Sequence, residues 1–421
     1  MPALTMLVLG DSILWGQGLL EGDKCAAQVQ QQLQNALHLE VRPPVMFAHS
    51  GASIMLPPGA RDEEPLWGEI PAYAPSITAQ VDAAAKDYSA ADLVLLDGGS
   101  NDLGVMRLIN PLERGATIYA DAQKYCGQPM CDLLGDVLTA FPRARVVVTG
   151  YYPVVSNQSG PGGIRHLLNA FGLEGIWKKI VEEGAQDIEA SLFFQLIRHK
   201  LANLSTAWHD GSAQAQRGAV DAINAYEAGQ GRPQRVVFAP ITFEPAHCIE
   251  CEQTYLWIGV DDDQHQNRLA YLEGPLPAWL DMPTRLEIPI ASLGHPNRNG
   301  AKAYAAAVMQ ALAPWIQGAE APTAARPALK VSIEGAPHVP PGQKVTAQVT
   351  VHACAETGTP VSGSVEMTNH DDAQGTHFPL NQPFTWEFHN HLFKVPDQGI
   401  GQTTTRIRVL AEGYTPVWVR W

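Results

Sequence analysis

The sequence predicts an α/β protein, a parallel sheet covered on both faces by helices, followed by a smaller all-β domain. Three observations carry this. Five short apolar runs, "TMLVLG", "PVMFAHSG", "DLVLLDGGS", "ARVVVTGYYP" and "QRVVFAP", are separated by longer segments. Those segments have helical periodicity, as over Lys24–His38, Ser76–Tyr88, Cys131–Phe141 and Asn299–Gln317. Beyond the Pro- and Ala-rich stretch "QGAEAPTAARPA" the pattern changes to alternating apolar and polar residues.

Each element follows from its pattern. Runs rich in Val and Leu with no polar alternation suit strands buried on both faces, the condition in a parallel sheet. Alternation of such strands with helices gives the layered α/β architecture. The connection over about 155–230 is too long for a simple crossover. It contains helical stretches such as "GIWKKIVEEGAQDIEASLFFQLIRHKL", so it reads as a helical insertion, either a decorative layer or a lid over a substrate. Trp177, Phe193, Phe194 and Leu196 within it suit either an apolar wall or a helical core. The tail segments "LKVSIEG", "KVTAQVTVHA", "VSGSVEMTNH", "FTWEFHN" and "TTTRIRVLAEG" alternate with a period of two. They predict an antiparallel β-sandwich of immunoglobulin-like outline. The expected organisation is a domain over 1–317, a linker over 318–327 and a sandwich over 328–421.

Composition narrows the function classes. The 421 residues include 28 Lys and Arg against 43 Asp and Glu, a formal net charge of −15, which opposes binding to nucleic acid and anionic lipid headgroups. No apolar stretch approaches the roughly 20 residues of a membrane span. The first strand starts almost at the initiator Met, without a basic region and cleavage site ahead of it. The expectation is therefore a chain without a cleavable leader, cytoplasmic or exported by a leaderless route. The six cysteines include the close pairs Cys126/Cys131 and Cys248/Cys251, readable as thiols or local disulfides. "HCIEC" lacks a second pair of zinc ligands, and "DDDQHQN" lacks the Gly and terminal Glu of an EF-hand loop, so no metal or other cofactor is expected.

The residues that suggest chemistry follow the strands. "LVLGDSILWGQGL" ends a buried strand on Gly10-Asp11-Ser12 and turns into a helix. The turn puts a hydroxyl at the carboxyl edge of the sheet, where open α/β folds form their ligand crevices, and beside the N–H groups of a helix start. Asp11 reads as a cap for that helix, and Trp15, Gln17 and Gly18 as pocket or core residues. After the second strand comes "AHSGASI", with Gly51 able to bring a backbone N–H near a reacting oxygen. After the third comes "DGGSNDLG", where Asn101 offers a side-chain amide and Asp102 reads as a brace for that loop. "SLGHPNRNGAKAYA" sets His295 before the last helix of the α/β region. His49, His247 and His265 read as structural or exposed.

A nucleophile, two oxyanion donors and a base in this order resemble the SGNH (GDSL) hydrolase superfamily. Gly10-Asp11-Ser12, Gly51, Gly99-Ser100-Asn101-Asp102 and His295 match its four blocks, and the resemblance covers Ala3 to Gln317. It implies a flavodoxin-like three-layer α/β/α sheet and an esterase- or lipase-like serine hydrolase acting on a small-molecule or lipid ester. Ser12 would be the nucleophile; the Ser12 N–H, Gly51 and Asn101 would form the oxyanion hole; His295 would be the base. The chain departs from the pattern at Ser292, where the family carries an aspartate three residues before its histidine. Ser292, a backbone carbonyl or a distant carboxylate such as those of Asp261–Asp263 could orient His295. Phospholipase, carbohydrate deacetylase, or a degenerate domain acting as a binding module are the alternatives, with glycan or protein contacts assigned to the sandwich.

Overall fold

A computed structural model of the chain describes residues 3–56, 68–170, 172–183, 192–258, 291–318, 329–340, 343–355, 358–369, 376–395, 399–411 and 417–419. The chain divides into two compact units, one of Met1–Met55, Asp62–Leu134 and Ala144–Glu320, which holds the parallel sheet, and one of Ala321–Trp421 together with Leu56–Arg61 and Gly135–Arg143.

The apolar runs form strands as expected. Strands β1 (Met6–Leu9), β3 (Leu93–Leu96) and β4 (Arg145–Thr149) are buried at every position but Arg145, and β5 (Val236–Ala239) closes one side of the sheet. The second run contributes only Val45–Met46 as β2, both half-buried, because β2 is an edge with one neighbour. All pairs are parallel in the order β2-β1-β3-β4-β5, with Leu7 opposite Val45 and Val94, and Val147 opposite Val237. The order reverses between β1 and β3, so a crevice opens at their carboxyl ends. This is the predicted flavodoxin-like arrangement.

The helices bury one stripe each. Helix α1 (Ser12–Trp15) is a single turn. Helix α2 (Cys25–Leu37) buries Cys25, Val29 and Leu33, one residue per turn. Helix α3 (Ile77–Tyr88) starts on Ser76, whose hydroxyl accepts from the Ala79 N–H at 3.1 Å, and buries Ile77, Val81 and Ala84. Next come the short α4 (Ser100–Leu103), a 3-10 turn over Val105–Ile109, α5 (Gly115–Cys126) and α6 (Gln128–Ala140). The insertion between β4 and β5 is helical: α7 (Pro161–Ala170), α8 (Glu174–Glu183) and α9 (Leu192–Gly229). At 38 residues α9 is about 57 Å long, and it packs along α5. The last helix of this unit, α10 (Arg298–Gly318), begins where Asn297 Oδ1 accepts from the Asn299 and Gly300 N–H groups at 2.9 and 3.1 Å.

Gly10 shows how tightly the switch point is built. Its φ is +148°, and a Cβ there would lie 1.8 Å from Asp97 Oδ1. Gln80 brackets it, accepting from the Gly10 N–H at 2.8 Å and donating to its carbonyl at 3.0 Å. Gly10→Ala must strain the backbone and displace a buried carboxyl group. We expect about 3 kcal/mol or more of lost stability in denaturant unfolding; a loss below 1 kcal/mol would contradict this geometry.

The second unit holds two antiparallel sheets. One runs β11-β10-β7-β6, formed by Gly399–Thr404, Pro383–Val395, Lys344–Ala355 and Leu329–Glu334. The other runs β13-β12-β8-β9, formed by Val417–Val419, Arg406–Ala411, Gly363–Thr368 and Thr376–Pro379. Val349 and Val351 of β7, Val365 and Met367 of β8, Phe388 of β10 and Ile407 of β12 share one buried core, which makes the sheets a sandwich.

Among the described residues no helix is long and apolar enough to cross a membrane. The six cysteines are free thiols, Cys25, Cys126, Cys248 and Cys251 buried, with no local disulfide in either close pair. Asp261–Asp263, His265 and the rest of "DDDQHQN" lie outside the described residues, as does the predicted linker from residue 319.

Candidate active site

The site begins in the turn after β1. Asp11 is fully buried and caps α1, its Oδ1 accepting from the Ile13 N–H at 2.9 Å. Its own N–H donates to Asp97 Oδ1 at 2.7 Å, and the Leu14 N–H donates to Asp97 Oδ2 at 3.2 Å, so the end of β3 holds the turn. Ser12 is the first residue of the turn, where a helical N–H has no intrahelical acceptor. Because α1 is a single turn that ends at Gly16 with φ +78°, it carries little macrodipole. Anion stabilisation here comes from individual N–H groups.

Glu69 fixes the exit from this turn. It accepts from Trp15 Nε1 at 2.7 Å and from the Gly18 N–H at 2.9 Å, while Gln17 Nε2 donates to its carbonyl at 3.1 Å. The Lys24 ammonium lies 3.6 Å above the Trp15 ring and pairs with Glu21. Trp15, Gln17 and Gly18 thus anchor the turn that carries Ser12.

Two loops complete the floor. Gly51 has φ +81°, and a Cβ would approach the Ala72 nitrogen to 2.5 Å, so only glycine fits. Asn101 Nδ2 donates to the Ala52 carbonyl at 2.9 Å, setting the plane of the amide. Asp102 accepts from the Ile54 and Met55 N–H groups at 2.8 and 3.3 Å. The sequence suggested that Asp102 braces its own loop; it braces the loop carrying Gly51, and the two oxyanion candidates are tied together. Burial pushes the Asp102 carboxyl up to about 7, against the pull of those two amides. His49 turns its Nδ1 to the Ser50 carbonyl at 2.8 Å, a local structural contact.

His295 arrives from the far end of the unit. Its Nε2 lies 2.8 Å from Ser12 Oγ, although 283 residues separate them. A short ladder places it: the Trp257 N–H donates to the His295 carbonyl at 2.9 Å, the Gly294 N–H to the Trp257 carbonyl at 3.1 Å, and Tyr152 OH to the Gly294 carbonyl at 2.9 Å. Ser292 meets the histidine through its main chain, its carbonyl accepting from the His295 N–H at 3.0 Å. Its hydroxyl does not fill the role considered from the sequence, because Nδ1 is buried without a hydrogen bond among the described residues. The carbonyls of Leu293 and Ser292 lie close enough to favour the protonated ring, yet neither makes a well-formed bond to it. His247 stacks on Tyr255 with ring centroids 3.8 Å apart.

Burial holds the imidazole below its ordinary value of 6.5, opposed by the negative charge of Asp11 and those carbonyls. A base must be neutral to accept a proton, and a lowered value keeps it neutral to lower pH. Any turnover that requires the neutral His295 ring is therefore expected to have the acid limb of its kcat/KM below pH 6.5. An acid limb above that value would contradict the burial of the ring.

These groups open into a cavity of about 380 Å³. Ser12, Gly51, Asn101 and His295 are among its lining residues. Val105 and Leu108 of the 3-10 turn, Leu167 of α7 and Trp208 of α9 make its apolar walls. The insertion does contribute to the wall, but through Leu167 and Trp208. Of the aromatic and apolar residues singled out in the sequence, Phe194 is packed in the core and Leu196 faces outward, 61% exposed. Among the described residues no group of three or more His, Cys, Asp or Glu is placed to hold a metal ion.

No protein-family model matches the chain, and no curated protein does. Solved structures do resemble it. A lipase from a goat rumen metagenome matches 73% of this chain and 97% of its own at 13% identity and a TM-score of 0.38. Phospholipase A1 from Streptomyces albidoflavus NA297 matches 74% and 100% at 15% identity and 0.38. A carbohydrate acetylesterase from Sinorhizobium meliloti matches 52% and 99% at 19% identity and 0.26.

Proposed function

We propose that the first unit is a serine hydrolase of carboxylic esters that works through an acyl-enzyme on Ser12. The 2.8 Å contact between Ser12 Oγ and His295 Nε2, in the lining of a largely apolar cavity, carries this reading. A hydroxyl bonded to a neutral imidazole can lose its proton as it attacks a carbonyl carbon. The carbonyl oxygen then becomes an oxyanion, for which the Ser12 N–H, the Gly51 N–H and the Asn101 amide are the donors. Collapse of the adduct breaks the bond to the alcohol, and His295 passes the proton to that leaving oxygen. Water then repeats the attack on the acyl-serine, with His295 again taking and returning a proton.

The cavity favours an acyl or alcohol group with apolar surface. The lipase, phospholipase A1 and carbohydrate acetylesterase named above are the range of substrate classes to test. A module that only bound glycan or protein would have no use for a base poised on a serine. A fluorophosphonate probe decides between these readings. It should modify Ser12 in the full chain and fail to label His295→Ala. An unlabelled Ser12 in folded protein would overturn the assignment.

A further inference from the structure

An ester has two sides, an acyl chain and an alcohol, and the cavity beside Ser12 offers each a wall of its own. We infer that Val105, Leu108 and Trp208 form the acyl wall and Val154 and Leu167 the alcohol wall, so that the substrate is an ester with apolar groups on both sides of its carbonyl. This rests on the hydrolase reading above and names the substrate class of the same site.

The two sides follow from the reaction. His295 must reach the leaving oxygen to return the proton, so the alcohol lies on the imidazole side of the carbonyl carbon. The developing oxyanion lies toward Gly51 and Asn101. The acyl chain takes the remaining direction, away from the ring. The side chains divide in the same way. A Cβ on Gly294, the neighbour of His295, would meet Val154 Cγ1 at 3.4 Å and Leu167 Cδ2 at 3.8 Å, so these two side chains flank the histidine. Val105 and Leu108 lie on the 3-10 turn that follows Asn101 and α4, and that turn packs on α9. From α9, the Trp208 ring lies 5.0 Å from that of Tyr151, whose hydroxyl accepts from the Ser100 N–H at 3.4 Å. The second wall is therefore built beside Ser100 and Asn101. All of these side chains line the cavity.

The hydroxyls in the lining are already committed to the protein. Ser100 Oγ and Tyr151 OH donate to Asp11 Oδ2 at 2.6 and 2.8 Å, and Tyr152 OH donates to the Gly294 carbonyl at 2.9 Å. A sugar set against them finds those donors in use. An alkyl or aryl group gains from each methylene it buries against the walls.

Two ester series in full-length protein separate the walls. 4-Nitrophenyl esters from acetate to hexanoate vary only the acyl chain, and butyrates from methyl to hexyl vary only the alcohol. Along both, kcat/KM should rise by up to about four-fold per methylene. Trp208→Ala should lower the hexanoate-to-acetate ratio by about ten-fold or more and leave the hexyl-to-methyl ratio nearly unchanged. Leu167→Ala should do the reverse. Both residues are 2% exposed. Where either variant does not fold, Val105→Asn, at a position 40% exposed, or the half-buried Val154→Thr takes its place with the same crossed result. A wild-type preference for acetate over hexanoate or for methyl over hexyl, or substitutions that move both ratios or neither, would overturn the inference. The two ideas fail separately. Turnover that persists in Ser12→Ala would sink the hydrolase reading whatever the ratios, whereas Ser12-dependent turnover with uncrossed ratios would sink this inference alone.

Discussion

Ser12→Ala and His295→Ala should each lower kcat for a good ester substrate by on the order of 10⁴- to 10⁶-fold, with circular dichroism and unfolding midpoint nearly unchanged. Both losses come from one 2.8 Å contact, so the double variant should be little worse than either alone. In the proposed mechanism alanine removes the nucleophile in one case and, in the other, the group that takes its proton. Ser12 is one of the first residues of a single helical turn, and its fold role is carried by Asp11 and Gly10, so its hydroxyl is dispensable for stability. Multiplying losses in the double variant would mean that the two residues act independently.

Asn101→Ala should cost on the order of 10²–10³ in kcat, with a much smaller change in KM. Its amide is held by the Ala52 carbonyl at 2.9 Å, so no reorganisation is needed when charge develops on the substrate oxygen. A donor fixed in advance acts on the transition state more than on the ground state. Asn101→Asp is the sharper probe. It keeps the size of the side chain but puts an acid where an anion forms, and it should be worse than alanine at pH values where the acid is ionised. Equal effects of the two variants on kcat and KM would point to substrate binding instead.

Much of this site could be read from the chain because the sheet itself is legible. A strand buried on both faces writes itself as an unbroken run such as "LVLL", and the residue just past its end is at the crevice by construction. Ser12 and Asn101 sit at such ends, Gly51 follows the short edge strand, and His295 precedes a helix of clear periodicity. The supporting residues left weaker traces. Glu69, Gln80 and Tyr151 are single polar residues that reach the site from other parts of the fold. Asp97 did leave a signal, a carboxyl closing the apolar run "DLVLLDGG", which is an unusual place for one unless it is bonded. Trp208 lies on the buried stripe of α9 and is indistinguishable in sequence from a core residue. What holds His295 was illegible because main-chain contacts from Trp257 and a hydroxyl from Tyr152 position it, and main-chain partners have no sequence signature.

The most direct test of the central claim is to trap the covalent intermediate. The full chain is mixed with an activated ester, quenched in acid within milliseconds to seconds, digested and mapped by mass spectrometry. An acyl group on the peptide containing Ser12, absent in Ser12→Ala and accumulating when deacylation is slow, is the predicted result. Ester turnover with the acyl group on another side chain would contradict the account.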